Sequence, residues 1–406
     1  MKMKFLKINK PLSILFFVFS FNTLFAQWNQ TSGLTGINCQ RFIKLGNTVF
    51  AGTDGSGIWK SNDDGATWEQ SSNGLNPSTD YSITELTVLG ANTLIAATYD
   101  NGLFKSDDNG ANWISITGTL PASSVYPVTA ITSNANMIIV GVESQGIYYT
   151  TDSGTTWTQA NTGWTTSMFY RTLIIANSHV YATTQDGVFK SSINTFSWSP
   201  INTGLPGTPP STRTICNQND TLYLGTSNDG IYRSLDFGQN WTSLNTSTTQ
   251  NFRVSSIIFD VEKLYFASNG AANNVYSTNK NNINWTVVGS GLASSPNDII
   301  ISNSHLLAAT GNDGPYKFSL TADLTKNIIE NNFNISPNPS KGIFNLDFNS
   351  IENSSIKIIN LLGKCVYQND YESKSIQIDL SDQDKGVYFI VIQTNKGLIE
   401  QKLIVE

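Results

Sequence analysis

Five arginines stand in the 406-residue chain, Arg41, Arg171, Arg213, Arg233 and Arg253, and four of them recur at one place in a repeated pattern. Counting thirteen residues on from Trp28, Trp68, Trp113, Trp157 and Trp285 gives Arg41, Tyr81, Tyr126, Tyr170 and Asp298. Where the connections differ in length, Arg213 and Arg253 take the equivalent place, and Arg171 adjoins Tyr170. Arginine presents a planar fork of N–H donors suited to carboxylate, sulfate or phosphate, and tyrosine a stacking face with a polar tip. Brought to one channel mouth, these side chains would make an anion or glycan site. The other reading is a polar-lined channel in which each arginine pairs with a neighbouring acid.

A second set of acids, Asp54, Asp100, Glu143, Asp186, Asp229 and Asp313, falls in Gly/Asn-rich turns expected on the same face. Such residues form hairpin turns in their own right. They could also pair with the arginines or hold a weak Ca²⁺ site. Nothing else calls for a metal or a cofactor. Cys39, Cys216 and Cys365 form no CxxC, and two histidines in the whole chain argue against a His-based centre. With 13% charged residues and a net charge of −6, the chain lacks the clustered Lys/Arg that a nucleic-acid binder needs.

The elements that must position these residues repeat. Trp28, Trp68, Trp113, Trp157, Trp198, Trp241 and Trp285 are 40 to 45 residues apart. Upstream of each, from Trp68 onward, lies a block such as TVFAGTDGSGIWKS, TLIAATYDNGLFKS or TLYLGTSNDGIYRS. A last copy, LLAATGNDGPYKFS at 306–319, has no tryptophan after it, and Trp28 has no block before it. The two ends therefore complete one unit. A period of this length, cut by turn residues into four short strands, predicts an all-β fold: a seven-bladed β-propeller over 27–320 closed by its N-terminal strand.

Four units carry S/T-x-D-x-G-x-x-W: Asp63, Gly65 and Trp68; Asp108, Gly110 and Trp113; Asp152, Gly154 and Trp157; Asp236, Gly238 and Trp241. The aspartate accepts backbone N–H bonds in a tight turn, the glycine takes positive φ, and the tryptophan packs the turn down. This resembles the Asp-box, or BNR repeat, of sialidase-type propellers. The resemblance implies an architectural turn on the face away from the ligand site. Sialidases of this fold use an arginine triad, a Tyr–Glu pair and an Asp acid/base. Here the F/Y-R-I-P signature is reduced to Gln40-Arg41-Phe42-Ile43, and Glu143 is the one ring acid of the required type. Xyloglucanase-type relatives need two facing propellers, whereas relatives with regular boxes and short loops bind proteins. The reading that follows is a propeller binding a glycan or protein at its mouth. A glycoside hydrolase of sialidase or xyloglucanase type and an adhesion or matrix scaffold stand as alternatives.

Both ends are addresses. Residues 1–26 pair four lysines with the apolar run LSILFFVFSF and close on Ala26, the pattern of a cleaved secretory signal. No later segment is long and apolar enough to span a membrane. After a linker at 321–330, residues 331–406 read as a small β-sandwich. Pro337-Asn338-Pro339, Gly342, Asn360-Leu-Leu-Gly363, Gly386-Val-Tyr388 and Lys402-Leu-Ile-Val405 resemble the type A sorting domain of the type IX secretion system of Bacteroidetes. The resemblance implies export through that machinery, as a secreted or surface-attached protein.

Overall fold

Runs such as TVFAGT and TLIAAT are apolar on both faces of a strand, so they must be covered on both sides. In the computed structural model, sheets stacked face to face do this: Thr48–Thr53 is buried along its whole length, and Leu94–Thr98 likewise. The structure describes residues 27–135, 137–164, 169–207, 209–247, 249, 251–270, 273–320, 333–360, 365–394 and 397–406. The expected signal with Ala26, the linker and residues 361–363 lie outside them.

Among the described residues there is no helix, and the first part of the chain forms seven four-stranded antiparallel sheets. We number them I to VII. Their innermost strands are Cys39–Leu45, Ile83–Leu89, Val128–Ser133, Tyr170–Ala176, Thr212–Gln218, Val254–Phe259 and Pro296–Ser302. Each lies against the next and the last against the first, so the ring closes. Sheet VII takes its outer strand, Asn29–Gln30, from the N-terminus, in register with Lys317 and Tyr316. Close stacking demands a small residue late in the second strand. At Gly141 a Cβ would sit 2.6 Å from the Tyr170 ring of the next sheet.

The tryptophans tie sheet to sheet. Trp113, Trp198, Trp241 and Trp285 each donate Nε1–H to a backbone carbonyl of the preceding repeat, at 2.7, 2.7, 2.7 and 2.8 Å. Trp28 does the same to Val288, closing the ring at 2.7 Å. The S/T-x-D-x-G-x-x-W turns share one hydrogen-bond set. In the second, Ser106 Oγ–H donates to Asp108 Oδ1 at 2.8 Å and receives Gly110 N–H at 2.9 Å, while Asn112 N–H donates to Asp108 Oδ1 at 2.8 Å. Positive φ is needed at two consecutive residues, Asn109 (57°) and Gly110 (78°), and not at the glycine alone. Asparagine tolerates the first, but a Cβ on Gly110 would lie 2.5 Å from Ser71 Oγ.

These bonds give the turns a pH signature. The side chain and then the backbone N–H of the residue four later, followed by the Ser/Thr hydroxyl, hold Asp108, Asp152 and Asp236 down to about 2. A carboxylate whose folded pKa lies below its unfolded one contributes stability above about pH 4 that disappears as pH falls towards about 2. The triple variant Asp108→Asn, Asp152→Asn, Asp236→Asn should therefore lose less stability than wild type across that window. Urea midpoints followed by tryptophan fluorescence at a series of pH values would show it, and parallel curves would refute it.

Residues 333–405 form a separate five-stranded sheet system around one apolar core that includes Phe344, Ile358, Ile390 and Leu403. The long strands Ile343–Asn360 and Cys365–Asp379 pair along two stretches, with the register broken between Asp347 and Glu352. The first half of Ile343–Asn360 meets Phe333–Ser336 and the second meets Gly386–Thr394. The Pro337-Asn338-Pro339 segment secures the last strand. Asn338 donates to the Lys402 carbonyl at 2.7 Å and accepts Ile404 N–H at 2.9 Å. Tyr388 donates its hydroxyl to the Asp384 carbonyl at 2.6 Å.

Candidate functional site

Each innermost strand carries a β-bulge near its start. The register shifts between Cys39 and Arg41, Ile83 and Glu85, Val128 and Ala130, Tyr170 and Thr172, Thr212 and Thr214, Val254 and Ser256, and Pro296 and Asp298. The extra residues are Gln40, Thr84, Thr129, Arg171, Arg213, Ser255 and Asn297. A bulge re-aims its side chain, and here it does so at the mouth of the ring.

Three of these residues fasten one sheet to the next. Thr84 Oγ donates to the Val128 carbonyl at 2.7 Å, Ser255 Oγ to that of Pro296 at 2.7 Å, and Asn297 Nδ2 to that of Cys39 at 3.0 Å. Each acceptor is the first residue of the neighbouring innermost strand. In sheets III, IV and V the equivalent residues are Thr129, Arg171 and Arg213, and they do something else. Thr129 Oγ, Arg171 Nε and Arg213 Nε are buried with no hydrogen-bond partner, and so is the Tyr170 hydroxyl. All four atoms belong to residues lining one cavity of about 320 Å³, which Arg41, Arg253, Phe169, Thr172 and Ser255 complete.

The cavity is cationic. Arg41 Nε–H donates to Glu85 Oε2 at 2.9 Å, so this one charge is answered. Burial pushes the Glu85 carboxyl up while Arg41 pulls it down, and Glu85 in turn raises Arg41. No acid lines the cavity beside Arg171, Arg213 and Arg253 among the described residues. Burial, then repulsion by Arg253, Arg171 and Arg41, lowers Arg213 to about 9. Burial and Arg253 lower Arg171 as well, and its guanidinium lies 5.5 Å from the centroid of the Phe169 ring.

Phe169 and Thr129 also line a second cavity of about 660 Å³, over sheets I to III, which holds Asp54, Glu143 and Tyr99. The mouth thus has a cationic side and a side bearing two acids.

Of the eight residues expected at the site, the structure brings together Arg41, Tyr170, Arg171, Arg213 and Arg253. Tyr81, Tyr126 and Asp298 do not line the cavity. Tyr81 and Tyr126 lie two residues before Ile83 and Val128, outside the strands. Tyr81 packs on the core of sheets I and II, and Tyr126 is exposed beside Ser123. Asp298 is taken up by the ring itself. It accepts Phe42 N–H at 2.8 Å from sheet I and Ser256 Oγ–H at 2.7 Å from sheet VI. The partner of Arg41 is a strand residue, Glu85, and not a member of the turn acids. Those turns are closed by threonine hydroxyls, Thr53 on Gly57, Thr184 on Gly187 and Thr226 on Gly230, at 2.7, 2.9 and 3.0 Å. Of the turn acids, Asp54 and Glu143 reach the second cavity. Among the described residues no group of three His, Cys, Asp or Glu is placed to hold a metal, and no helix is long and apolar enough to cross a membrane.

Set beside known proteins, residues 334–406 match the secretion system C-terminal sorting domain. Residues 19–166 and 172–328 match the DUF6242 beta propeller domain. No curated protein matches the chain. Several solved propellers share the fold. The extracellular domain of a one-component system from B. thetaiotaomicron superposes with a TM-score of 0.59 at 12% identity, over 93% of this chain and 59% of that one. The Niastella koreensis GH74 enzyme gives 0.59 at 14% identity, over 93% and 74%. YCF48 from Cyanidioschyzon merolae gives 0.55 at 15% identity, over 74% and 100%. The chain thus spans about three fifths of the B. thetaiotaomicron domain. With its propeller match taking in most of the sequence, the chain belongs to the DUF6242 beta propeller domain family and carries a secretion-system C-terminal sorting domain.

Proposed function

We propose that this propeller is exported through the type IX secretion system, to the cell surface or the medium, and that its channel mouth binds the anionic group of a glycan or protein ligand. The sorting domain supports the first part. One observation carries the second: three arginines, Arg171, Arg213 and Arg253, line a single cavity that no acid among the described residues lines. Burial and mutual repulsion lower Arg213 and Arg171, and an anion seated among the three guanidinium groups relieves that repulsion. The repeated Ser/Thr–Asp–Gly hydrogen bonds support reading the four turns as Asp-boxes with an architectural role.

The binding reading is tested with the full chain immobilised. It should retain acidic glycans or peptides from an array, and the variant Arg171→Met, Arg213→Met, Arg253→Met should release them. Unchanged retention would refute it. Removing residues 331–406 should leave the propeller inside the cell envelope, read by fractionation of the producing cells. Export of the truncated chain at the wild-type level would contradict the sorting assignment.

A further inference from the structure

The donors around the cationic cavity outnumber what a carboxylate can accept. An ionised carboxylate offers two oxygens and about four lone-pair sites. Arg171, Arg213 and Arg253 line the cavity together, each with a guanidinium fork of up to five N–H donors. Among the described residues no acid lines the cavity to answer these three positive charges, and Glu85 is committed to Arg41. Three terminal oxygens and a charge of −1 to −2, as in a sulfate or phosphate monoester, match this set in both donor number and charge.

The neighbouring cavity describes the rest of the ligand. It shares Thr129 and Phe169 with the first, and Tyr99, 47% exposed, lines it together with Asp54 and Glu143. Two carboxylates repel a second anionic group and accept hydrogen bonds from hydroxyls, and an exposed tyrosine face stacks on a sugar ring. A polyanion is disfavoured on that side, and a neutral, hydroxylated body is favoured.

We infer that the mouth recognises a sugar carrying a single tetrahedral monoester, with the sulfate or phosphate held by Arg171, Arg213 and Arg253 and the ring turned towards Tyr99. This rests on the anion-binding reading above and narrows it.

The test titrates the full chain by calorimetry at fixed ionic strength with glucose 6-sulfate, glucose 6-phosphate, glucuronate, inorganic sulfate and a phosphoserine peptide. Either monoester should bind at least about tenfold tighter than glucuronate. The phosphate should strengthen from pH 5 to 7, as its second proton leaves near pH 6, while the sulfate stays level; this separates the two sources of the same oxyanion. Tyr99→Ala should weaken the sugar monoesters and leave inorganic sulfate unchanged. Glucuronate binding as tightly as the monoesters would overturn the monoester while leaving anion binding intact. A phosphoserine peptide binding tighter than the sugars, or no effect of Tyr99→Ala, would overturn the sugar. No saturable heat with any anion would remove both this inference and the reading beneath it.

Discussion

Replacing Arg213 by methionine should make the protein more stable and, in the same step, cost it its ligand. Arg213 is held against burial and against Arg253, Arg171 and Arg41, and its Nε–H has no partner. Methionine fills similar space with no charge to desolvate. The gain should be of order 1 kcal/mol, or about 2–3 °C in Tm for a domain of this size. The sign follows from linkage. The folded guanidinium has a lowered pKa, about 9, so below that pH the repulsion is present in full. The guanidinium stays protonated across the working range, so the variant's advantage should persist from about pH 5 to 8. Anion affinity should fall by at least about a hundredfold, since a charge-assisted contact is lost and the remaining site is less positive. A variant less stable than wild type at pH 7 would mean that Arg213 has a structural partner, and the cavity would then be an ordinary polar channel.

The largest loss of stability should come from the tryptophans. Trp241 is almost fully buried, packs between sheets IV and V against Tyr181 and Val188, and donates to the Ile201 carbonyl at 2.7 Å. Trp241→Ala removes the ring and leaves that carbonyl unsatisfied. The ring alone is worth about 3–5 kcal/mol, a large fraction of the roughly 5–15 kcal/mol that holds a domain folded. Trp241→Phe keeps most of the packing and loses the bond, at about 1–3 kcal/mol. All nine tryptophans lie between residues 28 and 285, so fluorescence in urea reports the propeller without the C-terminal domain. A change below about 1 kcal/mol for Trp241→Ala would contradict the account of how the sheets are joined.

The repeat made the ring legible. Tryptophans at a steady period announce units that bury one another, and the unmatched Trp28 and 306–319 announce the closure that Asn29–Gln30 performs. The concentration of arginine was legible too, because so few arginines exist that their common place stands out. The register was not. Counting from a tryptophan crosses a connection of variable length, so the count reached the strand at Arg41 but stopped short of it at Tyr81 and Tyr126. The bulge is the constant mark, and it is a backbone feature that depends on the partner strand. Counted from the bulge, Arg41, Glu85 and Asp298 fall on one level, and Thr129, Arg171 and Arg213 on another. The residues of the first level are bonded within the ring, Arg41 while also lining the cavity, and those of the second line the cavity. The short hydroxyl and amide staples at Thr84, Ser255 and Asn297 were hidden for the same reason.

The central claim is that the arginines of sheets IV to VI hold an anion. Titration calorimetry with inorganic sulfate, on wild type and on Arg171→Met, Arg213→Met, Arg253→Met at equal ionic strength, addresses it most directly. The account predicts saturable one-to-one binding in wild type, weakened by added chloride and absent from the variant. Equal heats in the two proteins, or no saturable heat in wild type, would contradict it.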